Sequence, residues 1–533
     1  MAKQFFVLGI GGTGMRCIES LIHLCAMGMF DNTDIHLLAL DTDKNNGNFS
    51  RLKEVKEAYV KTKGVEVSSR VSLQDTFFSA NIKYYEFSPN YEHKSTFKDV
   101  FGYSDTQYNH SEETDLADLV LAKTVEEFNL RHGYRAQTHL GSMMMYHSII
   151  EAAKSPTNND LKSFLGELAK QAQTGNPRVF ILGSVFGGTG ASSIPIPQAI
   201  SKAAEIMTNG AVNVLKSAYF GSTLLTAYFS FKAPSSNELA NQKVIATSDK
   251  FALNSQVAMM FYEDDSTVKS TYQKFYMMGT DSLNWNPMAK DNISETITGG
   301  EKQKNDSHYI ELLAASSALS FYNEDESVLA VNKQNVKTDY EYRAINNNGK
   351  FDFQDFVGQQ RAEKFAKKFG LLIAFSLFCN GTDDFVESVR SGGVKEIQEF
   401  LDINVNQVLA LKEYFNLFFV RVNANGTLSE GWLKQIHRSA GGGDNFLFNA
   451  SLFSPSDLKS LMKLSWNKNL YRTEGIGKDN HYSTGFFGSK FDSFKKQFLL
   501  TRDKDSSWKN ITNNGEQLNK LIYDTLSSLY NFK

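Results

Sequence analysis

The chain has 533 residues, 56 Lys+Arg against 59 Asp+Glu, and three cysteines. A net charge of −3 argues against a nucleic-acid coat or a polybasic membrane binder, so no direct nucleic-acid partner is expected. Cys17, Cys25 and Cys379 cannot build a disulfide framework, and an odd count without a secretory leader points to a reducing cytoplasm.

At about 150 residues per domain the length predicts two to four domains or one large one with insertions. The most apolar run, Gly370 to Cys379 (GLLIAFSLFC), falls well short of the ~18 residues a membrane span needs. Aromatic residues are abundant, with 41 Phe and 22 Tyr, enough to furnish a large core and subunit interfaces as well.

Gln4 to Ile10 is an apolar run that stops at glycine, the pattern of a buried strand. Thr13 to Met27 follows with Ile18, Leu21, Ile22 and Cys25 at helical spacing. A second apolar run, Asp34 to Leu40, ends in Asp41-Thr42-Asp43. Continuous apolar runs joined by amphipathic helices predict a parallel sheet covered on both faces. Residues 44–130 are more polar, with a helix expected over Leu116 to Phe128. Helices are expected over Gly141 to Ala153 and Leu161 to Gln173, then a strand over Arg178 to Val185. A helix from Ile196 to Met207 and strands over Val212 to Gly221 and Lys274 to Gly279 come next. His308 to Tyr322 is apolar around most of its circumference, which predicts a buried helix, and Gly358 to Phe378 is a second long one. Beyond residue 380 the pattern suggests a helix over Val394 to Leu411, an aromatic strand over Tyr414 to Val422, a glycine loop at 441–443 and a terminal helix over Gly515 to Tyr530.

Gly9, Gly11 and Gly14 make a GxGxxG pattern between the first strand and helix. Glycines allow a tight turn and a close backbone approach to phosphate, and the helix start offers free N–H groups and a positive dipole end. The same pattern also serves as a plain turn in an α/β sheet. Asp41 and Asp43 end the next strand, where a dinucleotide-binding domain holds a ribose. Asp43 also suits a metal-bound water or a loop cap.

A second turn, Gly187-Gly188-Thr189-Gly190, follows the strand that begins at Arg178. A Rossmann domain has no use for it, whereas two glycine turns at the ends of parallel strands can hold one polyphosphate between them, with Thr189 adding a hydroxyl. GxxxxGK[ST] is absent, so backbone N–H groups, a helix dipole and a cation must meet the phosphate charge. The ten histidines show no HExxH or paired Cys/His spacing, and Ser184 does not sit in GxSxG.

Taken in order, GIGGTGMRCIESLI, ALDTD and FGGTGAS resemble the tubulin/FtsZ superfamily of GTPases, and within it the bacterial tubulin-like branch. The resemblance spans residues 4–378 and is weak beyond. Where the family signature reads GGGTG[ST]G, this chain has Phe186 and Ser192 in place of the first and last glycines. The resemblance implies an α/β fold: a parallel-sheet GTPase domain, a central core helix and a C-terminal α+β domain. Segments of 1–300, 301–380 and 381–533 are expected on that basis. It implies GTP or GDP with Mg²⁺, held by Gly11, Gly12, Thr13, Gly14, Asp41, Asp43, Gly187, Gly188, Thr189 and Gly190. At the head of the central helix Asn305 would contact guanine, since its amide both donates and accepts; the bland reading of Asn305-Asp306-Ser307 is a helix cap.

The family also carries a two-acid loop that completes the site of the next subunit. Asp352 and Asp355 have that DxxD spacing ahead of the helix Gly358 to Phe378, although charge complementing a helix dipole explains them too. An insertion, Asn323 to Lys350, separates them from the central helix. In a third loop, Gly133-Tyr134-Arg135, the arginine is a phosphate contact or a surface residue, and Gly141-Ser142 starts the next helix. The implied activity is GTP hydrolysis coupled to head-to-tail self-assembly. The alternatives are a non-hydrolysing GTP-gated scaffold that binds a protein partner through the C-terminal third, and a Rossmann-type NAD-dependent oxidoreductase.

Overall fold

Seven parallel strands form one sheet in a computed structural model of the chain. The described residues are 3–64, 74–91, 93–102, 112–134, 137–230, 233, 235–236, 247–280, 286–287, 300–343, 353–380, 405–422, 428–439, 490–504 and 506–529. In chain order the strands up to residue 343 are β1 (Lys3–Ile10), β2 (Thr33–Leu40), β3 (Asn81–Phe87), β4 (Arg178–Leu182), β5 (Tyr219–Leu225), β6 (Phe229–Ser230), β7 (Tyr272–Met278), β8 (Asn286–Pro287) and β9 (Asp339–Arg343). The main sheet runs β3-β2-β1-β4-β5-β7-β9, and β6 pairs with β8 in a small separate ladder.

Strand periodicity sets the two cores. Phe5, Val7, Ile35 and Leu37 face one side of the sheet, while Phe6, Leu8, Ile10, Leu38 and Leu40 face the other. Each such side chain contributes roughly 1.5–3 kcal/mol when fully buried. Both faces are covered by helices, which is why the central strands read as unbroken apolar runs.

Helix α1 (Gly11–Ala26) fills the β1–β2 crossover and is buried at every residue except Gly12. It lies beneath α2 (Gly47–Lys63) and beside the central helix Tyr309–Tyr322, in which all residues except Tyr322 are buried. His308 caps the central helix, and Glu311 returns a bond to the His308 N–H. The described C-terminal helices build onto the same face. Trp432 donates to Ser20 on α1 at 3.1 Å, and buried Lys63 on α2 pairs with Glu516 at 3.1 Å. One apolar cluster therefore runs from Phe5 to Leu526, and β9 extends the sheet past residue 300.

Several elements depart from the sequence reading. The expected strand from Val212 splits: Asn213 caps a four-residue helix, Val214–Ser217, and β5 begins only at Tyr219. The expected aromatic strand at Tyr414 is helical up to Phe418, in Val405–Phe418, with a short strand β10 (Val420–Val422) against β11 (Leu428–Glu430). Tyr414 and Phe418, four residues apart, lie on one helical face against His23, and that packing overrides β propensity. Instead of one helix from Leu116 to Phe128 there are two, Glu112–Val120 and Lys123–Glu126. Residues 394–404 and the 441–443 glycines lie outside the described residues.

Among the described residues no helix is long and apolar enough to cross a membrane. Cys17 and Cys25 are buried free thiols.

Candidate functional site

The chain runs outward from β1 through β2 to β3, then returns to place β4 on the other side of β1. A crevice forms beyond the carboxyl ends of strands at such a reversal, and open α/β sheets bind ligands there. Gly9 on β1 is registered with Leu182 on β4, so the turns that follow these two strands leave the sheet side by side.

The first turn is locked by its glycines. Gly11 has φ +68°, and a Cβ placed on it would lie 3.0 Å from the Gly190 nitrogen of the second turn. A Cβ on Gly14 would meet Gly9 C and Leu182 O, both at 2.6 Å, so Gly14 lets α1 close down on the sheet. Ile10, the residue before α1, provides no side-chain cap, which leaves the helix's leading N–H groups directed at the cleft.

The second turn is shaped by the two residues that depart from the signature. Phe186 packs its ring on Phe229 and Phe251, with centroids 5.4 and 4.8 Å apart. Ser192 Oγ donates to Gly188 O at 2.7 Å, folding the turn back on itself. A single 3₁₀ turn, Gly190–Ser193, then intervenes before the helix Ile196–Met207. The second helix is thus set back from the glycines, whereas α1 starts directly on its own.

The cleft is lined by Gly11, Gly12, Thr13, Asp41, Asp43 and Gly187 to Gly190, and also by Arg16, Asn46, Gly133, Tyr134, Ser184, Phe186, Phe251 and Gln303. Its enclosed volume is about 100 Å³. Pockets that bury a whole drug-sized ligand hold roughly 300–1,000 Å³, so the enclosed part suits a small polar group rather than an entire nucleotide. Three loops meet over it: Thr42 Oγ1 lies 3.5 Å from Thr189 Oγ1, and a Cβ on Gly133 would be 3.6 Å from both hydroxyls.

Asp41 is buried and accepts from Asn46 Nδ2 at 3.1 Å. Burial, with smaller help from nearby Asp43, raises its pKa to about 7 against the pull of its hydrogen bonds. Asp43 is spent on structure: Oδ2 accepts from Gly300 N at 2.6 Å and Oδ1 from Asn45 N at 3.1 Å. These bonds tie the loop after β2 to the segment leading into the central helix. Tyr134 is buried with its hydroxyl 3.0 Å from that of Tyr91, and burial foremost raises its pKa.

The sequence-derived residues divide cleanly. Nine of them, Gly11, Gly12, Thr13, Asp41, Asp43, Gly187, Gly188, Thr189 and Gly190, come together in the cleft. Gly14 supports it from below. Asn305 is buried but is not part of the lining, which reaches Gln303 instead. Its backbone carbonyl accepts from Arg51 at 3.0 Å, while Oδ1 has no hydrogen-bond partner. Asp355 sits on the short helix Phe353–Val357, whose Phe356 carbonyl bonds Arg343 on edge strand β9, away from this chain's own cleft. Asp352 and Arg135 lie outside the described residues. Gly141 falls inside the helix Thr138–Lys154 rather than starting it, and a Cβ there would collide with Ser192 Oγ and Tyr134.

Arg16 and Gln303 escaped the sequence reading. Arg16 lies within the first motif itself, four residues after Gly12, one helical turn on, so its spacing was the available signal.

Compared with protein-family models, curated proteins and solved structures, the chain matches none. Fold and site define an α/β protein with a parallel seven-stranded sheet and a glycine-lined cleft where the strand order reverses.

Proposed function

We propose that the protein is a tubulin/FtsZ-like GTPase whose two glycine turns hold the phosphates of GTP. The observation that carries this reading is the meeting of Gly11 and Gly190, from turns after neighbouring parallel strands, over one cleft. Backbone N–H groups of both turns and the uncapped start of α1 suit a polyphosphate. Mg²⁺ would sit with the phosphates beside Asp41 and neutralise their charge; one or two carboxylates with phosphate oxygens suffice for that ion. Asp355, away from its own cleft, would serve a neighbouring subunit's site by orienting the attacking water. Such a head-to-tail contact is heterologous and builds a filament unless it closes into a ring.

The test is light scattering and negative-stain microscopy with GTP, alongside phosphate release. Asp355→Ala is expected to assemble but to release phosphate at least tenfold more slowly than wild type. Equal rates would remove Asp355 from the mechanism.

A second reading, a GTP-gated scaffold that does not hydrolyse, is favoured by the Ser192 bond that folds the signature turn onto itself. GTP-dependent assembly without phosphate release would select it. Asp41 at the end of β2, where dinucleotide folds hold a ribose, keeps an oxidoreductase as the third reading.

A further inference from the structure

Arg16 is a polar group in an unusual position. Its side chain is only 2% exposed, yet it borders the cleft. Among the described residues that line the cleft it is the one cation.

Three of its contacts fix the guanidinium from behind. Nε donates to Glu311 Oε1 at 2.6 Å, and Nη2 donates to the Tyr228 hydroxyl and to Thr13 Oγ1. Glu311 is in turn held by the Tyr228 hydroxyl at 2.7 Å and by the His308 N–H at 3.1 Å. The planar group also lies over the Tyr228 and Phe229 rings. Burial works against its charge, but Tyr228 and Glu311 outweigh that and hold it protonated.

The remaining nitrogen, Nη1, has no hydrogen-bond partner among the described residues. It borders the space over Gly12, where an added Cβ would stand 3.7 Å from it, 3.6 Å from Asn46 Nδ2 and 2.9 Å from Asn48 Nδ2. Helical side chains lean toward the N-terminus, so a residue one turn into α1 returns its head group to the first turn. A fixed, partly desolvated guanidinium beside uncapped helix N–H groups is an arrangement for an oxyanion, and arginine is suited to phosphate.

We propose that Arg16 is the phosphate-anchoring cation of the cleft, binding a phosphate oxygen of a polyphosphate through Nη1 over Gly12. The inference rests on the nucleotide reading for the identity of the natural ligand, though inorganic pyrophosphate probes the contact by itself. It also accounts for the absence of a P-loop lysine: the positive charge comes from inside α1, braced by the central helix.

Removing Arg16 alone would strand Glu311, so the variant is paired. Arg16→Met with Glu311→Gln keeps approximate volume and leaves no lone buried charge. Titrations with pyrophosphate and with GTP on the full chain should show at least a tenfold loss of affinity for both, with the thermal midpoint checking that the variant is folded. A folded variant binding pyrophosphate within twofold of wild type overturns the proposal while leaving the nucleotide reading standing. Loss of GTP-over-ATP preference with pyrophosphate affinity intact also overturns it, because Arg16 would then face the base. Wild type binding neither probe sinks both readings. If the paired variant does not fold, a crystal structure of wild type with pyrophosphate decides: Nη1 within hydrogen-bond distance of a phosphate oxygen supports the proposal, and an Nη1 that stays unbonded overturns it.

Discussion

The two glycine turns have similar sequences and different construction. In the first, glycine is a packing requirement: the space a Cβ would need on Gly9, Gly11 or Gly14 is already occupied. In the second the glycines divide: a Cβ on Gly190 would meet Ser184 Oγ at 2.5 Å, whereas one on Gly187 would meet nothing closer than Ser184 Oγ at 3.6 Å. One turn is clamped between sheet and helix, and the other rests on an aromatic cluster and its own Ser192 bond. A turn can thus keep its glycines to let its own backbone pack or to leave room for a ligand's approach, and a sequence motif does not separate the two.

The largest expected effect tests how strongly the first turn is braced. Glu311→Ala leaves the Arg16 charge buried without its carboxylate, and breaking a buried pair in that way costs about 3–5 kcal/mol. Denaturant unfolding would report it; a loss below about 1 kcal/mol would mean the first turn does not depend on the central helix.

Asp41 comes next, since it faces the cleft between the two turns. Its raised pKa means that the folded chain holds a proton the unfolded chain releases near pH 4. That contribution is complete below about pH 4 and is lost as pH rises through about 7. Without ligand, wild type should therefore lose stability across that window. Asp41→Asn should flatten the pH profile and be more stable than wild type at pH 8 by roughly 2–4 kcal/mol. Parallel profiles for the two proteins would contradict the burial argument.

The smallest difference is the most direct test of the comparison. Gly14→Ala forces a methyl against two backbone atoms and should cost about 1–3 kcal/mol. Gly187→Ala should stay within about 0.5 kcal/mol and show its effect in ligand affinity instead. Equal destabilisation by the two would erase the distinction between the turns.

Much of the sheet was legible because buried parallel strands are short apolar runs ending in glycine or aspartate, as β1, β2 and β4 do. The edges were less so. β9 reads DYEYR, with charges alternating on an exposed edge, and offers no apolar run to find. Helix α2 buries Arg51 and Lys63 in ion pairs beside Phe49, Leu52, Val55 and Tyr59, which blurs its apolar stripe in the sequence. In the site, glycine spacing located both turns. Arg16 stayed hidden because its role depends on Glu311, 295 residues away, and no local pattern encodes that pairing.

Binding of GTP and NADH to the full chain, measured side by side by equilibrium dialysis, tests the central claim most directly. The account predicts that GTP binds, that pyrophosphate competes with it, and that NADH does not bind. Tight NADH binding with no GTP binding would contradict it.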